Sequence, residues 1–589
     1  MKHKLRNVCR TVWVSALIVV FFVQWLPLRA AAIDAGDGVL PSGLTDGELA
    51  EAIDAFLSEH QDNHAAVAVS VFRGEDDVLT RFFGEIDSEG TPLGENCVLE
   101  WGSTTKLTVW VSAMQLAEAG KLDLNADIQR YLPEGFLKNL RYDGAVTMLH
   151  LMNHNAGFQE TDFVLEVLSP DEIVPLGEYL AANQPAQVFA PGSVCAYSNW
   201  GAALAGYIVE CVAGMPYWEY VQEHIFKPLG MERSAIAADL HDNAWVQQQR
   251  DAFASVLPDG SPEPENKVYI LPYPAGMCVS TLSDFALFAK ALLTRDSRLL
   301  SAEGFDLLYS ASSYYTGTDL ARSAHGFLVD YDFAVPVVGH DGNTVGGSSR
   351  LILDLQDGVG MVVLTNQLGG SLYRTKMAKL VFGEGDHHAE IDGYYIPARN
   401  IFRGRMKLMN NLFLREHCHI TTELADGIFV NVLPDRLEIS MTDYLRQPDG
   451  PGDETASTLL PDYRVNDALA VIWFVALGYT LVSFLLRLIL AIIARVKKRR
   501  LPLIAYAKCA YSLLLPLCIL PIFVPIPPAA AVTYLVLLGA AGIALCFLER
   551  NALKGADRPK RAALPSLLTA GLMVCYAVTL VNVLIWDLV

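Results

Sequence analysis

The chain has 589 residues, a formal charge of -21 and a hydrophobic content of 52%. That length accommodates about two to four domains, and the positive mean hydropathy is high for a purely water-soluble protein, so membrane segments are expected. The basic residues cluster beside apolar runs at Lys2 to Arg10, Arg495 to Arg500 and Lys554 to Arg561. They leave an acidic middle, which argues against nucleic acid or anionic lipid as the ligand of the large domain.

Residues 1–32 read as an export signal: a basic start, an apolar run over 12–26, then Ala30-Ala31-Ala32, which satisfies the small-x-small cleavage rule. An uncleaved anchor helix is the alternative, and either way the following residues leave the cytoplasm. An amphipathic helix is expected over 48–59, and a strand hairpin over 65–73 and 78–84 around Gly74-Glu75-Asp76-Asp77. Trp101-Gly102-Ser103-Thr104-Thr105-Lys106 then opens a helix over 107–118, which puts Ser103 and Lys106 on one face. A serine hydroxyl is a poor nucleophile at neutral pH, and a lysine serves as its base only when partly desolvated. The positive end of the helix dipole also favours an alkoxide there. Ser-x-x-Lys is common by chance, so its weight depends on partners elsewhere. A surface connection over 120–133 leads to a helix at 146–153, closed by His154-Asn155-Ala156-Gly157-Phe158.

Tyr197-Ser198-Asn199 lies in a loop before the apolar helix expected at 201–212. A tyrosine there can simply pack with its hydroxyl in water, and Asn199 can equally cap the helix. Strands are expected at 324–331, 335–340, 349–355 and 360–366, with Asp357-Gly358 as a hairpin turn. Gly339-His340-Asp341-Gly342-Asn343 falls at the end of the second of these; glycine there admits a ligand close to the backbone, and a plain turn is the alternative. A helix at 374–380 completes the large domain.

Residues 390–446 carry strand patterns at 427–433 and 436–441 and no recognisable chemistry. His417-Cys418-His419 places only the two histidines on one strand face and lacks the ligands of a metal site. The ten cysteines show no paired spacing, so no disulfide framework is expected. Beyond a polar linker at 448–461 come four apolar runs, 468–494, 502–523, 529–548 and 564–586, each near the roughly 20 residues of a spanning helix. The basic loops after the first and third runs place those loops in the cytoplasm, and hence the large domain and the C-terminus outside. Arg487 and Lys508 are near enough to the cytoplasmic end to snorkel, so an anchor is expected rather than an ion pathway.

Ser103-x-x-Lys106, Tyr197-Ser198-Asn199 and His340-Asp341-Gly342, in that order, resemble the serine beta-lactamase and penicillin-binding-protein superfamily, in its class C-like branch. The resemblance runs from about residue 45 to 385 and includes Leu116-Ala117-Glu118-Ala119-Gly120-Lys121-Leu122-Asp123-Leu124, Leu149-His150-Leu151-Met152-Asn153-His154-Asn155-Ala156-Gly157, Phe226-Lys227-Pro228-Leu229-Gly230-Met231 and Pro274-Ala275-Gly276-Met277. It implies an α+β, beta-lactamase/transpeptidase-like fold: an antiparallel sheet flanked by helices, a helical subdomain, and the serine at their junction. It further implies Ser103 as the acylated nucleophile, Lys106 as its base, Tyr197 as a second base, and Asn199, His340 and Gly342 as substrate-binding residues. The oxyanion hole would be the backbone N–H groups of Ser103 and Asn343. No cofactor and no metal is implied.

The third motif departs from the lysine usual in beta-lactamases of this superfamily. His340 carries a positive charge only when protonated, and Asp341 adds a negative charge beside it. The expected activity is therefore that of an esterase, amidase or D-peptidase acting through an acyl-enzyme on a small acyl or peptide substrate related to the cell envelope. A beta-lactamase, or a catalytically silent penicillin-recognising sensor, is the alternative. The expected organisation is a signal peptide at 1–32, a hydrolase domain at 33–389, a small β-rich accessory region at 390–447, a linker at 448–467 and four transmembrane helices at 468–589.

Overall fold

Val67–Arg73 buries side chains on both its faces, which places it inside a sheet covered on both sides. Val67, Val69 and Val71 point into one apolar core while Ala66, Ala68 and Phe72 point into the other. Residue alternation along Val359–Thr365 repeats the division, with Met361 and Val363 on one side and Val362 and Leu364 on the other. The computed structural model describes residues 33–34, 38–400 except 88, 139, 161–164, 252 and 264–266, and then 422–447, 457–459, 464–516, 528–554 and 571–580. The expected signal at 1–32 and the His417-Cys418-His419 segment lie outside the described residues.

The main sheet has nine strands in the order Ile33–Asp34, Asp76–Phe83, Val67–Arg73, Val359–Thr365, Gly347–Asp354, Val337–Thr344, Phe327–Asp330, Ala321–Ala324 and Ser313–Tyr314. All of its pairings are antiparallel. Helices Asp46–Glu59 and Ser371–Phe382 cover one face through Leu49, Ile53, Tyr373, Met377 and Val381. The other face carries Lys106–Glu118, Leu282–Leu293 and the helical layer beyond them, including Asn199–Ala213. Each large side chain fully buried in these cores contributes about 1.5–3 kcal/mol.

Two strand expectations change. The segment expected as one strand at 324–331 is a hairpin, because His325 and Gly326 both take positive φ, 47° and 93°, and make the two-residue turn. The strand expected to stop at His340 runs on to Thr344 and pairs in register with Gly347–Asp354, so the third motif lies within a strand and not at a turn. The helix after Tyr197 begins at Asn199, and Ser198 is its cap, accepting from the Gly201 N–H at 2.9 Å; Asn199 is not the cap.

Past the large domain, Tyr395–Pro397, Thr442–Arg446, Arg436–Ile439 and Asn431–Val432 pair in that order into a small antiparallel sheet. Among the described residues one helix is long and apolar enough to cross a membrane, Val471–Val496, with a mean hydropathy of 2.2. The other expected spans appear as shorter apolar helical stretches, Leu503–Leu514, Thr533–Leu548 within the helix Pro528–Lys554, and Gly571–Leu580. Among the described residues the expected four-helix transmembrane region is thus represented by one helix that is both long and apolar enough to span, and parts of the second and fourth runs fall outside them. These helices meet through Trp473, Tyr511, Leu538 and Leu572.

Candidate active site

Ser103 sits in the tight 3-10 turn Gly102–Thr105, which leads directly into the helix Lys106–Glu118. In such a turn residues three apart are eclipsed, so the serine and lysine side chains stand one above the other. The turn is held against the sheet edge by short polar contacts. Trp101 Nε1 donates to Ser280 Oγ at 2.7 Å, Ser349 Oγ donates to the Trp101 carbonyl at 2.5 Å, and Thr104 Oγ1 lies 2.7 Å from Ser349 Oγ. Two glycines allow the backbones to meet. A Cβ at Gly342 would lie 1.8 Å from the Trp101 carbonyl oxygen, and one at Gly102, where φ is +54°, would lie 2.6 Å from the Asn343 nitrogen. Gly342 therefore provides close packing and not cavity wall, and it brings the Asn343 amide beside the serine turn.

Lys106 is wholly buried, with Nζ 2.9 Å from Ser103 Oγ and donating to the Ala275 carbonyl at 2.6 Å. Burial holds its amine well below the ordinary lysine range, the Arg399 guanidinium pushes it further down, and Glu160 opposes the shift. A neutral amine at that distance can accept the serine proton as the oxygen attacks a carbonyl carbon.

The ring of Tyr197 lies 4.9 Å from Lys106 Nζ. Burial raises its phenol, while Ser103 and Arg399 act in the opposite direction. The loop that carries it is clamped on two sides. On one side the Ser198 N–H donates to His154 Nδ1 at 3.1 Å, and the His154 ring lies on Tyr197 with centroids 4.4 Å apart. On the other, Ala196 bridges to Thr442, the Asp443 N–H donates to the Cys195 carbonyl at 2.8 Å, and the Cys195 N–H donates to Asp443 Oδ2 at 3.0 Å. Asp443 is itself buried against Arg322 at 2.6 Å.

His340 is buried with its ring 5.9 Å from Tyr197. Its Nδ1 faces the Asp341 carbonyl, which places the proton on Nδ1 and leaves Nε2 an acceptor without a hydrogen-bond partner among the described residues. Burial, followed by the influence of Lys106, lowers the imidazole to about 4, so it is neutral at physiological pH. Asp341 does not act as a free charge beside it, because the carboxylate pairs with Arg350 at 2.9 Å and Arg374 at 3.1 Å.

A cavity of about 520 Å³ opens over Ser103, Tyr197 and Asn199, and Arg399, Phe429 and Tyr444 of the accessory region form its far side. Ser103, Lys106, Tyr197, Asn199, His340 and Asn343 are thus gathered at one place, on or directly behind the cavity wall. The sequence reading missed His154, Glu160 and Arg399. His154 lay inside a quoted run and could have been singled out, whereas nothing in the sequence around Arg399 distinguishes it.

A family model described as beta-lactamase matches residues 49–384. Penicillin-binding protein 4 of Amycolatopsis lactamdurans is 29% identical over 350 residues, covering 57% of this chain and 88% of that protein. Esterase EstB of Burkholderia gladioli is 31% identical over 213 residues, 34% of this chain and 51% of its own length. The solved D-amino acid amidase of Ochrobactrum anthropi SV3, in complex with L-phenylalanine amide, superposes with a TM-score of 0.47 at 22% identity, over 56% of this chain and 96% of that one.

Proposed function

The chain belongs to the beta-lactamase family and is a serine hydrolase, and from that premise we propose a membrane-tethered enzyme that cleaves esters, amides or D-amino-acid peptides of the cell envelope through an acyl-enzyme. The observation that carries this reading is the buried Lys106 amine 2.9 Å from Ser103 Oγ.

In the proposed cycle Ser103 Oγ forms a bond to the acyl carbon while its proton passes to Lys106. The carbonyl oxygen becomes an oxyanion held by the N–H groups of Ser103 and Asn343, donors of a kind that commonly contribute about 3 kcal/mol each. Collapse breaks the bond to the leaving group, which takes a proton relayed through Tyr197. Water then attacks the acyl carbon and passes one proton through the Tyr197 hydroxyl to Lys106; the bond to Ser103 Oγ breaks, that proton returns to the oxygen, and Ser103 is restored as the acid leaves. Asn199 hydrogen-bonds the substrate, and neutral His340 offers Nε2 as an acceptor. The domain boundaries at 389, 447 and 467 belong to the same proposal, as do export by residues 1–32 and anchoring by the C-terminal apolar helices. Arg495 and Lys497 to Arg500 at the end of Val471–Val496 orient that helix with the hydrolase domain outside.

The test is labelling of the folded full-length chain by a fluorophosphonate. Ser103 should carry the label by mass spectrometry, and Ser103→Ala should carry none; labelling that persists in the variant removes Ser103 as nucleophile. The names of the penicillin-binding relatives favour a second reading, beta-lactam recognition. Because neutral His340 supplies no charge at the strand position where beta-lactamases usually hold the substrate carboxylate, a chromogenic cephalosporin is expected to turn over slowly or not at all, and rapid turnover would favour that second reading.

A further inference from the structure

The site lacks a fixed positive charge where the superfamily usually has one, since His340 is neutral and Lys106 must be neutral to act as a base. Among the described residues two permanent cations line the cavity, Arg350, which is taken up by Asp330 and Asp341, and Arg399. Arg399 lies beyond the residues matched by the family model, in the segment leading out of the strand Tyr395–Pro397. Its guanidinium is 4.9 Å from the centroid of the Tyr197 ring, the ring that also adjoins Lys106. Glu160 holds its Nε, and the two side chains differ in access: Arg399 is 41% exposed and Glu160 19%. The Nη atoms have no hydrogen-bond partner among the described residues.

The carboxylates on the cavity wall are already engaged. Asp330 pairs with Arg350 at 2.9 Å, Asp341 pairs with Arg350 and Arg374, and Asp332 accepts the Phe429 N–H at 2.7 Å. What the cavity presents across from the serine is therefore a planar fork of donors, pinned by Glu160 and backed by the Tyr197 ring. Such a fork matches a carboxylate in geometry as well as charge, and fixing it in advance reduces what binding costs in side-chain freedom.

We propose that Arg399 is the anion-reading residue of this cleft, receiving a carboxylate borne by the acyl substrate and so selecting anionic acyl compounds over neutral and cationic ones. The inference rests on the serine-hydrolase roles assigned above and adds a substrate class to them. It also gives the accessory region a function, because the selecting charge comes from that region.

The full-length chain in detergent is labelled with a fluorophosphonate in the presence of phenylboronic acid, 3-carboxyphenylboronic acid or 3-(aminomethyl)phenylboronic acid, all of which add reversibly to an activated serine. The carboxylated acid should protect at a concentration roughly tenfold below phenylboronic acid, a preference of the size expected for one charge-assisted pair. In Arg399→Gln labelling should continue, slowed because the guanidinium no longer helps hold the Lys106 amine down, and the preference should vanish, while Arg399→Lys should keep part of it. Equal protection by the three acids in the wild-type chain, a preference for the aminomethyl acid, or a carboxylate preference that survives in Arg399→Gln overturns the inference. Loss of labelling in Arg399→Gln, with normal labelling in Arg399→Lys, assigns Arg399 to site integrity and also overturns it. A folded wild-type chain that is never labelled overturns the underlying serine-hydrolase roles and the selectivity with them.

Discussion

Lys106 is the residue whose environment most sets the chemistry. Its burial costs the charged form, so its amine is available as a base at a pH where an exposed lysine is fully protonated. Lys106→Met keeps the volume and removes the base; labelling should slow by about 10²–10⁴-fold, read as the second-order rate constant with the fluorophosphonate. The wild-type rate should rise with pH through an ionisation below the ordinary lysine range, and that limb should be missing in the variant. His340 makes a separate prediction about stability. The folded imidazole stays neutral down to about 4 whereas the unfolded one takes a proton near 6.5. The unfolded chain therefore binds the extra proton, and stability that is full above 6.5 is lost as pH falls toward 4, by roughly 3 kcal/mol. Thermal denaturation between pH 7 and 4 should show a smaller loss for His340→Asn than for the wild type. His154 titrates in the same direction and is itself held down in part by His340, so the difference reports His340 together with its influence on His154.

At the scale of elements, the serine turn is placed by the fit of Gly102 and Gly342 to the backbone opposite them. Gly342→Ala forces a Cβ into the Trp101 carbonyl and should lower the labelling rate by about 10²-fold with the fold retained, since small misplacements of a nucleophile have effects of that size. An unchanged rate would show that the strand and the turn are not in register contact. The Tyr197 loop depends on the small sheet through Asp443. Asp443→Ala strands a buried Arg322 and removes an acceptor for the Cys195 N–H, and it should cost about 3–5 kcal/mol in chemical denaturation. These elements show why some of the site was legible and some was not. The helix after Lys106 follows an apolar pattern read locally, and the observed start at Lys106 lies one residue from the expected one. The strand through His340 was cut short because Asp341-Gly342 reads as a turn, whereas the pairing partner Gly347–Asp354 carries it onward. Local turn chemistry loses to a ladder of long-range hydrogen bonds there.

At the scale of the molecule, the proposed topology puts the hydrolase domain and the membrane helices in different compartments. Protease added to intact spheroplasts should digest the large domain and spare a fragment containing Val471–Val496; protection of the whole chain would reverse the orientation. The amino-acid sequence by itself determined the Ser103–Lys106 pair, because two residues three apart in a helical turn are neighbours whatever surrounds them, and it determined the alternating strands and apolar runs for the same short-range reason. Only the tertiary structure decided that Arg399 lies on Tyr197 and Glu160, that Asp443 holds the Tyr197 loop, and that Asp341 is neutralised by Arg350 and Arg374. Those contacts, apart from the two Asp341 pairs, join segments separated by many elements, and the apolar cluster of Val194 and Ala196 with Ile396, Ala398 and Leu445 brings them together where no local spacing records them.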